Sequence, residues 1–427
     1  MGLVIWAGVC LVIALALRHR PFVASVLGLV LWCLVPGVAG HHLTGSATGL
    51  SQTHPAAIYV LVVAAVQLAS GSPELRLALN HRRAWAWTAL FVVAVAAVTG
   101  LAFVAGSGRW AAVANQLLGP LTLFFLVGGC LLVRPDRVSR LIRVVVVLAA
   151  VEGALSIVQL VAQRPLVFSS DYARQYWFDE SYNRWMGTFD HPLILSLFLA
   201  CSIFLLAELD RWWLVLPLLA LDLGGLLTTQ SRTGFAIGLV GFVYLLCTSR
   251  SGAGGRAALL TLGAAAAAVA FRAGAADGLL SRINDDTGSS VAREEALAYV
   301  GNHWQEYIVS GRGLDSSFAV ARSVGLDTSF ESALLMYVID LGLITAVVYF
   351  ALMIGVVAAG RRKGSRVAAA VATGALFIVQ TFSGLSGVTA TPAILWTALA
   401  LAGFSRVSDA ARVRDTRVLV TTIAARR

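Results

Sequence analysis

Three arginines stand where a fixed positive charge could do chemistry. Arg232 lies between two long apolar runs, Leu214 to Thr229 and Phe235 to Cys247, in the string Gln230-Ser231-Arg232-Thr233-Gly234. An unpartnered arginine at such a re-entry point costs on the order of a few kcal/mol, so an ionisable group there marks a functional site by default. Arg184 opens the turn Arg184-Trp185-Met186-Gly187-Thr188-Phe189-Asp190-His191-Pro192, which leads into another apolar run, and Arg312 sits in Gly311-Arg312-Gly313. Guanidinium groups stay charged at any physiological pH and grip phosphate oxygens bidentately. A pyrophosphate leaving group at a membrane surface would need such donors. The bland alternative is that each arginine snorkels to lipid headgroups.

Acid–base candidates surround these arginines. Glu331 begins the apolar run 331–356 and could take a proton from a sugar hydroxyl as general base; equally, it is a helix N-terminal glutamate favoured by the macrodipole. Asp315 and Asp327 are weaker candidates, of a kind usually found as solvated loop acids. His191 and His303 are possible proton carriers, although a histidine before a proline, as at His191, more often bonds to the start of a helix. His41, His42 and His54 share one loop, but their spacing matches no defined metal site and no acid stands near them in sequence. No metal and no cofactor is therefore expected. Trp185 and Tyr182, with Tyr172, Tyr176, Trp177 and Phe178 close by, could stack on sugars or form an interfacial aromatic belt. No glycine-rich phosphate loop appears, which argues against ATP-driven work.

The elements that must position these residues are apolar helices. The 427 residues are 58% hydrophobic and 13% charged, with a mean hydropathy of +0.81. That composition predicts an all-α polytopic bundle and excludes the soluble classes. About 13 spans are expected, at 2–17, 21–39, 56–70, 84–104, 115–133, 141–163, 190–207, 212–229, 232–248, 257–276, 331–356, 367–382 and 391–404. They make one membrane domain, 1–404, followed by a basic tail, 405–427. Gly2 to Leu17 has no basic residue before it and Arg18 and Arg20 after it, the pattern of a retained first span rather than a cleaved signal.

The net charge of +10 does not point to nucleic acid, because the arginines lie in short loops and a tail rather than on one patch. Sorted by alternate loops, 22 of the 32 basic residues fall on one side, which should be cytoplasmic. Arg109, Arg164, Arg174, Arg184, Arg232, Arg272, Arg282, Arg293, Arg312 and Arg322 fall on the other, external side. Arg361-Arg362-Lys363 reads as a topology determinant or a contact to anionic lipids. The segment 277–330 is a larger external loop. Within it, Val291 to Ile308 has helical rhythm, with Ala292, Leu297, Val300, Trp304 and Ile308 on one face and Ser290 as a cap.

Taken in order, these motifs resemble the O-antigen ligase and O-antigen polymerase superfamily over roughly residues 180–345. The likeness rests on Met186-Gly187-Thr188-Phe189 with His191-Pro192, Ser231-Arg232-Thr233-Gly234, Arg293, Gly311-Arg312-Gly313, and Glu331-Ser332 ahead of Asp340-Leu341-Gly342-Leu343. The resemblance implies a multi-span, inverting, metal-independent glycosyltransferase of the cell membrane. Its donor would be a polyprenyl-diphosphate-linked glycan on the external face, and its acceptor a glycan or lipid. Arg184, Arg232, Arg293 and Arg312 would hold the diphosphate, with Glu331 and Arg232 catalytic. His191, His303, Trp185 and Tyr182 would meet the acceptor or glycan. The family often has a His-Asn pair where this sequence has Glu331-Ser332, so a carboxylate would replace an imidazole. The alternative is a transporter or flippase of a lipid-linked or anionic solute. A glycosyltransferase with an acidic motif in its first external loop fits less well, since Gly40 to Pro55 contains no Asp or Glu.

Overall fold

A chain this apolar can satisfy its backbone polar groups away from water only within its own segments, so it folds as helices. The computed structural model describes residues 2–45, 52–80, 110–175, 178, 183–249, 252–272, 287–326, 330–363 and 365–405. Among these residues every regular element is helical. The expected span 84–104 and the tail 406–427 lie outside the described residues.

The first helices are α1 (Gly2–Ala16), α2 (Pro21–Leu34), the short α3 (His41–Thr44), α4 (Pro55–Ala69) and α5 (Pro73–Asn80). Helix α2 turns by 89° into Gly37–Thr44, and α4 turns by 97° into α5. Next come α6 (Trp110–Val133), α7 (Asp136–Ala162), α8 (Ser169–Tyr172), α9 (Pro192–Leu205), α10 (Trp212–Thr229), α11 (Arg232–Thr248) and α12 (Ala253–Arg272). The chain continues through α13 (Thr287–His303), α14 (Ser316–Ser323), α15 (Ala333–Leu341), α16 (Leu343–Lys363), α17 (Arg366–Ile378) and α18 (Thr391–Phe404).

Among the described residues, four helices are long and apolar enough to cross a membrane: α6, α7, α10 and α16 over Leu343–Arg361; there are up to six spans if each bent pair counts as one. Five further apolar helices, α1, α9, α11, α17 and α18, are shorter. Among the described residues, length and hydropathy therefore support fewer full spans than the apolar runs suggested, because several runs are shortened by turns and bends.

Helices α9 and α18 are buried on nearly every face and form the centre, as expected for helices that are apolar all round. Glycines let the neighbours approach: a Cβ on Gly225 of α10 would lie 2.7 Å from the Gly153 Cα of α7. Caps set the helix starts. His54 and His191, each followed by proline, accept from Ala56 N–H and Leu193 N–H, and Ser231 and Ser365 accept from Gly234 N–H and Ala368 N–H.

The loops gather at two opposite ends. One end is tied by Gln67 donating to the Arg18 carbonyl, Arg137 pairing with Glu74, and Ser365 donating to Glu208. The other is tied by Val38 N–H donating to Asp190, Gln163 to Asn183, and Gly387 N–H to Asp315. Arg18 and Arg137, which charge sorted to one side, both take part in the ties at the first end.

The expected span 331–356 is broken in two. Gly342 sits at φ +95 and ψ 153, a conformation open essentially to glycine alone. The chain at 308–313 packs into the break. Arg312 N–H donates to the Ile339 carbonyl at 2.7 Å, Gly313 N–H to the Asp340 carbonyl at 2.9 Å, and Ile344 N–H to the Ile308 carbonyl at 3.2 Å. A Cβ on Gly311 would stand 2.2 Å from the Asp340 carbonyl carbon. The glycines around Arg312 thus serve a close backbone crossing that satisfies the interrupted helix.

The helix expected over 291–308 is present as α13, but it begins earlier, at Thr287, and ends in a 3-10 turn, Trp304–Tyr307. Its buried positions are Ala296, Val300 and Tyr307, while Leu297 and Trp304 are exposed. The face read from the sequence is therefore rotated. The segment carries apolar residues on both sides, and periodicity alone does not choose between them.

Candidate functional site

The turn 186–191 is held as a ledge by residues from three other parts of the chain. Gln159 of α7 donates to the Gly187 carbonyl at 2.8 Å and accepts from Gly187 N–H at 2.9 Å. Glu152, one and a half to two turns earlier on the same helix, accepts from Thr188 N–H at 2.8 Å and from the Thr188 hydroxyl at 2.7 Å. The Tyr172 hydroxyl donates to the Thr188 and Phe189 carbonyls. Asp190 accepts from Val38 N–H at 2.9 Å. Gly187 lies at φ +63, and a Cβ there would meet Glu152 at 2.3 Å, so glycine is required on both counts. Glu152 and Gln159 escaped the sequence reading; the signal available was a carboxylate in the apolar middle of a 27-residue helix, a pattern that marks function in membranes.

Arg184 and Arg232 converge on the turn between α10 and α11. Arg184 Nε donates to the Thr229 carbonyl at 3.1 Å, Trp185 N–H to the Thr228 carbonyl at 3.0 Å, and Gln230 to the Asn183 carbonyl at 3.2 Å. Arg232 is the first residue of α11, whose N-terminus is capped by Ser231. Helices α9 and α11 run parallel: Gly234 packs on Ser196, and Gly241 packs on Ile203 and Phe204. The positive ends of α9 and α11 therefore lie side by side, with the Arg184 guanidinium on the turn before α11 and Arg232 as the first residue of α11, an arrangement that attracts anions.

His191 sits at the start of α9, and its Nδ1 accepts from Leu193 N–H at 3.1 Å. Withdrawal from water, with Arg184 nearby, pushes its pKa down to about 3. The ring is thus a neutral cap carrying its hydrogen on Nε2, a donor rather than a base at neutral pH. Burial pushes Asp190 up to about 6, against the opposing effect of backbone N–H donors.

A second group lies on 293–331. Arg293 pairs with Glu331 at 3.2 Å and also donates to the Thr381 carbonyl at 3.4 Å. Glu331 is 20% exposed and has a left-handed backbone, φ +45, uncommon for a non-glycine residue and frequent at functional sites. His303 Nδ1 donates to the Tyr299 carbonyl at 2.9 Å and its ring stacks on Tyr299 at 4.4 Å. Arg312 pairs with Glu306 at 3.3 Å and lies 5.6 Å from the Tyr307 ring centre. Thr381 follows α17, which packs against Ile237 of α11 through Gly374, so this group shares the end of the bundle that carries Arg184 and Arg232.

Other expected contacts differ. Trp185 is buried, and its indole N–H donates to Asn183 at 2.9 Å, so its ring presents no open face to a sugar. Asp315 is not a solvated loop acid: it accepts from Gln116 at 2.6 Å and from Gly387 N–H at 3.2 Å. Gln116 reaches it from a π-helical turn, Val113–Leu118, within α6. Tyr182 and Asp327 lie outside the described residues. A residue set able to hold a metal ion is His41, His42 and Asp171, whose ligand atoms lie within 4.8 Å of one another. Comparison with protein-family models, curated proteins and solved structures finds no match to this chain.

Proposed function

We propose that the chain is a polytopic membrane glycosyltransferase, similar to O-antigen ligases and polymerases, that transfers or polymerises glycan from a polyprenyl-diphosphate donor at the external end of its bundle. The observation that carries this reading is that Arg184 reaches the turn at the start of α11, the helix that Arg232 opens beside the start of α9, at the same end as the Arg293–Glu331 pair. The acceptor hydroxyl oxygen attacks the anomeric carbon. The bond from that carbon to the diphosphate oxygen breaks with inversion, and its electron pair leaves with the diphosphate. Arg184 and Arg232 neutralise the departing charge, doing what a metal ion does in other transferases. A diphosphate competing for Arg293 would release Glu331 to accept the hydroxyl proton.

The test is Arg232→Ala and Arg232→Lys, assayed in membranes with lipid-linked repeat units and scored for glycan ladders or transfer to a second carrier. Loss of one leaving-group donor should cost about 10²–10³ in rate. Full activity in Arg232→Ala would remove this residue from the mechanism.

Transport is the second reading. What favours it is Asp222, fully buried within α10, together with the bends in α2 and α4, since transporters place carboxylates and broken helices at mid-membrane. Product formed by reconstituted protein without a gradient supports transfer; substrate crossing the bilayer with no bond made supports transport.

A further inference from the structure

His41 and His42 lie on α3, just past the bend that ends α2, and have no acid near them in sequence. The fold brings them one from 129 residues away. Asp171 of α8 is almost wholly buried and turns one carboxylate oxygen toward each ring: Oδ2 is 2.9 Å from His42 Nε2, and Oδ1 is 3.5 Å from His41 Nε2. The two rings lie 4.2 Å apart between centres.

The hydrogen placement on His41 decides what this cluster lacks. Its Nδ1 is 3.1 Å from the Val38 carbonyl oxygen. A carbonyl only accepts, so Nδ1 carries the hydrogen. Neutral His41 therefore aims the bare lone pair of Nε2 at a carboxylate oxygen, which also has only lone pairs to offer. Two acceptors facing each other at 3.5 Å repel unless a second ring proton or a metal ion stands between them.

We propose that His41, His42 and Asp171 bind one divalent transition-metal ion of the zinc class. The donor set is two imidazole nitrogens and one carboxylate, which suits zinc and its neighbours; calcium and magnesium prefer oxygen donors throughout. With bonds of about 2.0–2.1 Å, tetrahedral ligands stand roughly 3.4 Å apart; His41 and Asp171 already stand at 3.5 Å, and the half-exposed His42 ring, 2.9 Å from Oδ2, would give up its hydrogen bond and move outward to admit the ion. The Nδ1–H bond from His41 to a backbone carbonyl is the outer contact that commonly orients a metal-bound histidine. The side chains of His41 and His42 remain 32% and 54% exposed, leaving a path for the ion and room for a water ligand. His54, the third histidine of this stretch, does not take part: it is buried, caps α4 and stacks on Trp32.

Such an ion would tie the segment after α2 to α8. The residue after Asp171 is Tyr172, whose hydroxyl holds the Thr188 and Phe189 carbonyls. The metal thus braces the ledge that leads to His191, and its role is structural. This goes beyond the glycosyl-transfer reading and does not rest on it.

The experiment uses the full chain, purified in detergent, freed of any histidine tag and stripped with chelator. Cobalt(II) is titrated while its visible d–d bands are recorded, then displaced with zinc, and thermal unfolding is followed with and without zinc. One cobalt per chain is expected, along with a zinc-dependent rise in Tm. Asp171→Asn and His42→Gln should each weaken binding by about tenfold or more and abolish the rise. His19→Gln, on an exposed residue at the opposite end, should change neither. His42→Gln alters a half-exposed side chain, so it keeps the test open if Asp171→Asn does not fold. Absence of cobalt bands and of any zinc effect on wild-type Tm would overturn the proposal, leaving an imidazolium–carboxylate pair. Binding of equal strength in His42→Gln would overturn it as well.

Discussion

At the scale of single residues, the sequence marked the charges but not their partners. Arg184, Arg232, Arg293 and Arg312 stand out because arginine is rare beside apolar runs. What each one touches is a matter of tertiary structure: Arg184 meets a carbonyl 45 residues away, and no local pattern encodes that. His191 shows the opposite case. Its position before Pro192 already indicated a cap, and its Nδ1 does cap α9. Asp190, beside it, yields a pH prediction. Its carboxyl is raised from 3.8 to about 6 by burial. A group whose pKa is raised on folding stabilises the fold fully below its unfolded value, and that stability is lost as pH rises through the folded value. Wild-type protein should therefore lose roughly 1–3 kcal/mol of stability between pH 4 and pH 7 through this group. Asp190→Asn keeps an acceptor for Val38 N–H and removes the ionisation, so its Tm should fall less over the same range. Parallel Tm–pH curves for the two proteins would show that Asp190 is not the titrating group.

At the scale of elements, apolar runs located the helices well because hydropathy reports burial directly. It does not report the path of the chain, and so the bends after α2 and α4 and the break at Gly342 were invisible. The break shapes the site. It sets Arg312 on a crossing segment whose N–H groups serve the Ile339 and Asp340 carbonyls, while Asp340 accepts from Ser317 N–H at 2.7 Å and so fixes the start of α14. Gly311→Ala would drive a methyl into the Asp340 backbone and lift the crossing away. An unpaired buried carbonyl costs about 1–3 kcal/mol, and two are at stake. Gly311→Ala should lower both Tm and transfer activity, whereas Gly301→Ala, with open space around its Cβ, should leave Tm unchanged or slightly raised. Equal Tm values for the two variants would mean that the crossing is not what holds the break.

At the scale of the whole molecule, charge alone divided the loops into two sets, which on the proposed topology face opposite sides of the membrane. That division has a physical basis, since basic residues resist transfer across the bilayer and so record orientation independently of packing. Helix α7 offers the most direct test, because Ser139 lies in the first turn of this 27-residue helix and Ser169 lies beyond its other end. At about 1.5 Å per residue it is long enough to cross the hydrocarbon core. Both serines are exposed, and the one exposed cysteine among the described residues, Cys247, can be replaced by serine. In that background, a membrane-impermeant maleimide applied to intact cells should label Ser169→Cys and leave Ser139→Cys unlabelled until the membrane is permeabilised. The reverse pattern would put Arg184, Arg232 and the Arg293–Glu331 pair on the cytoplasmic side, where a donor presented on the outer leaflet would never meet them. Labelling of both positions in intact cells would mean that α7 does not span the membrane, and the two-ended arrangement would then lose its meaning as a topology.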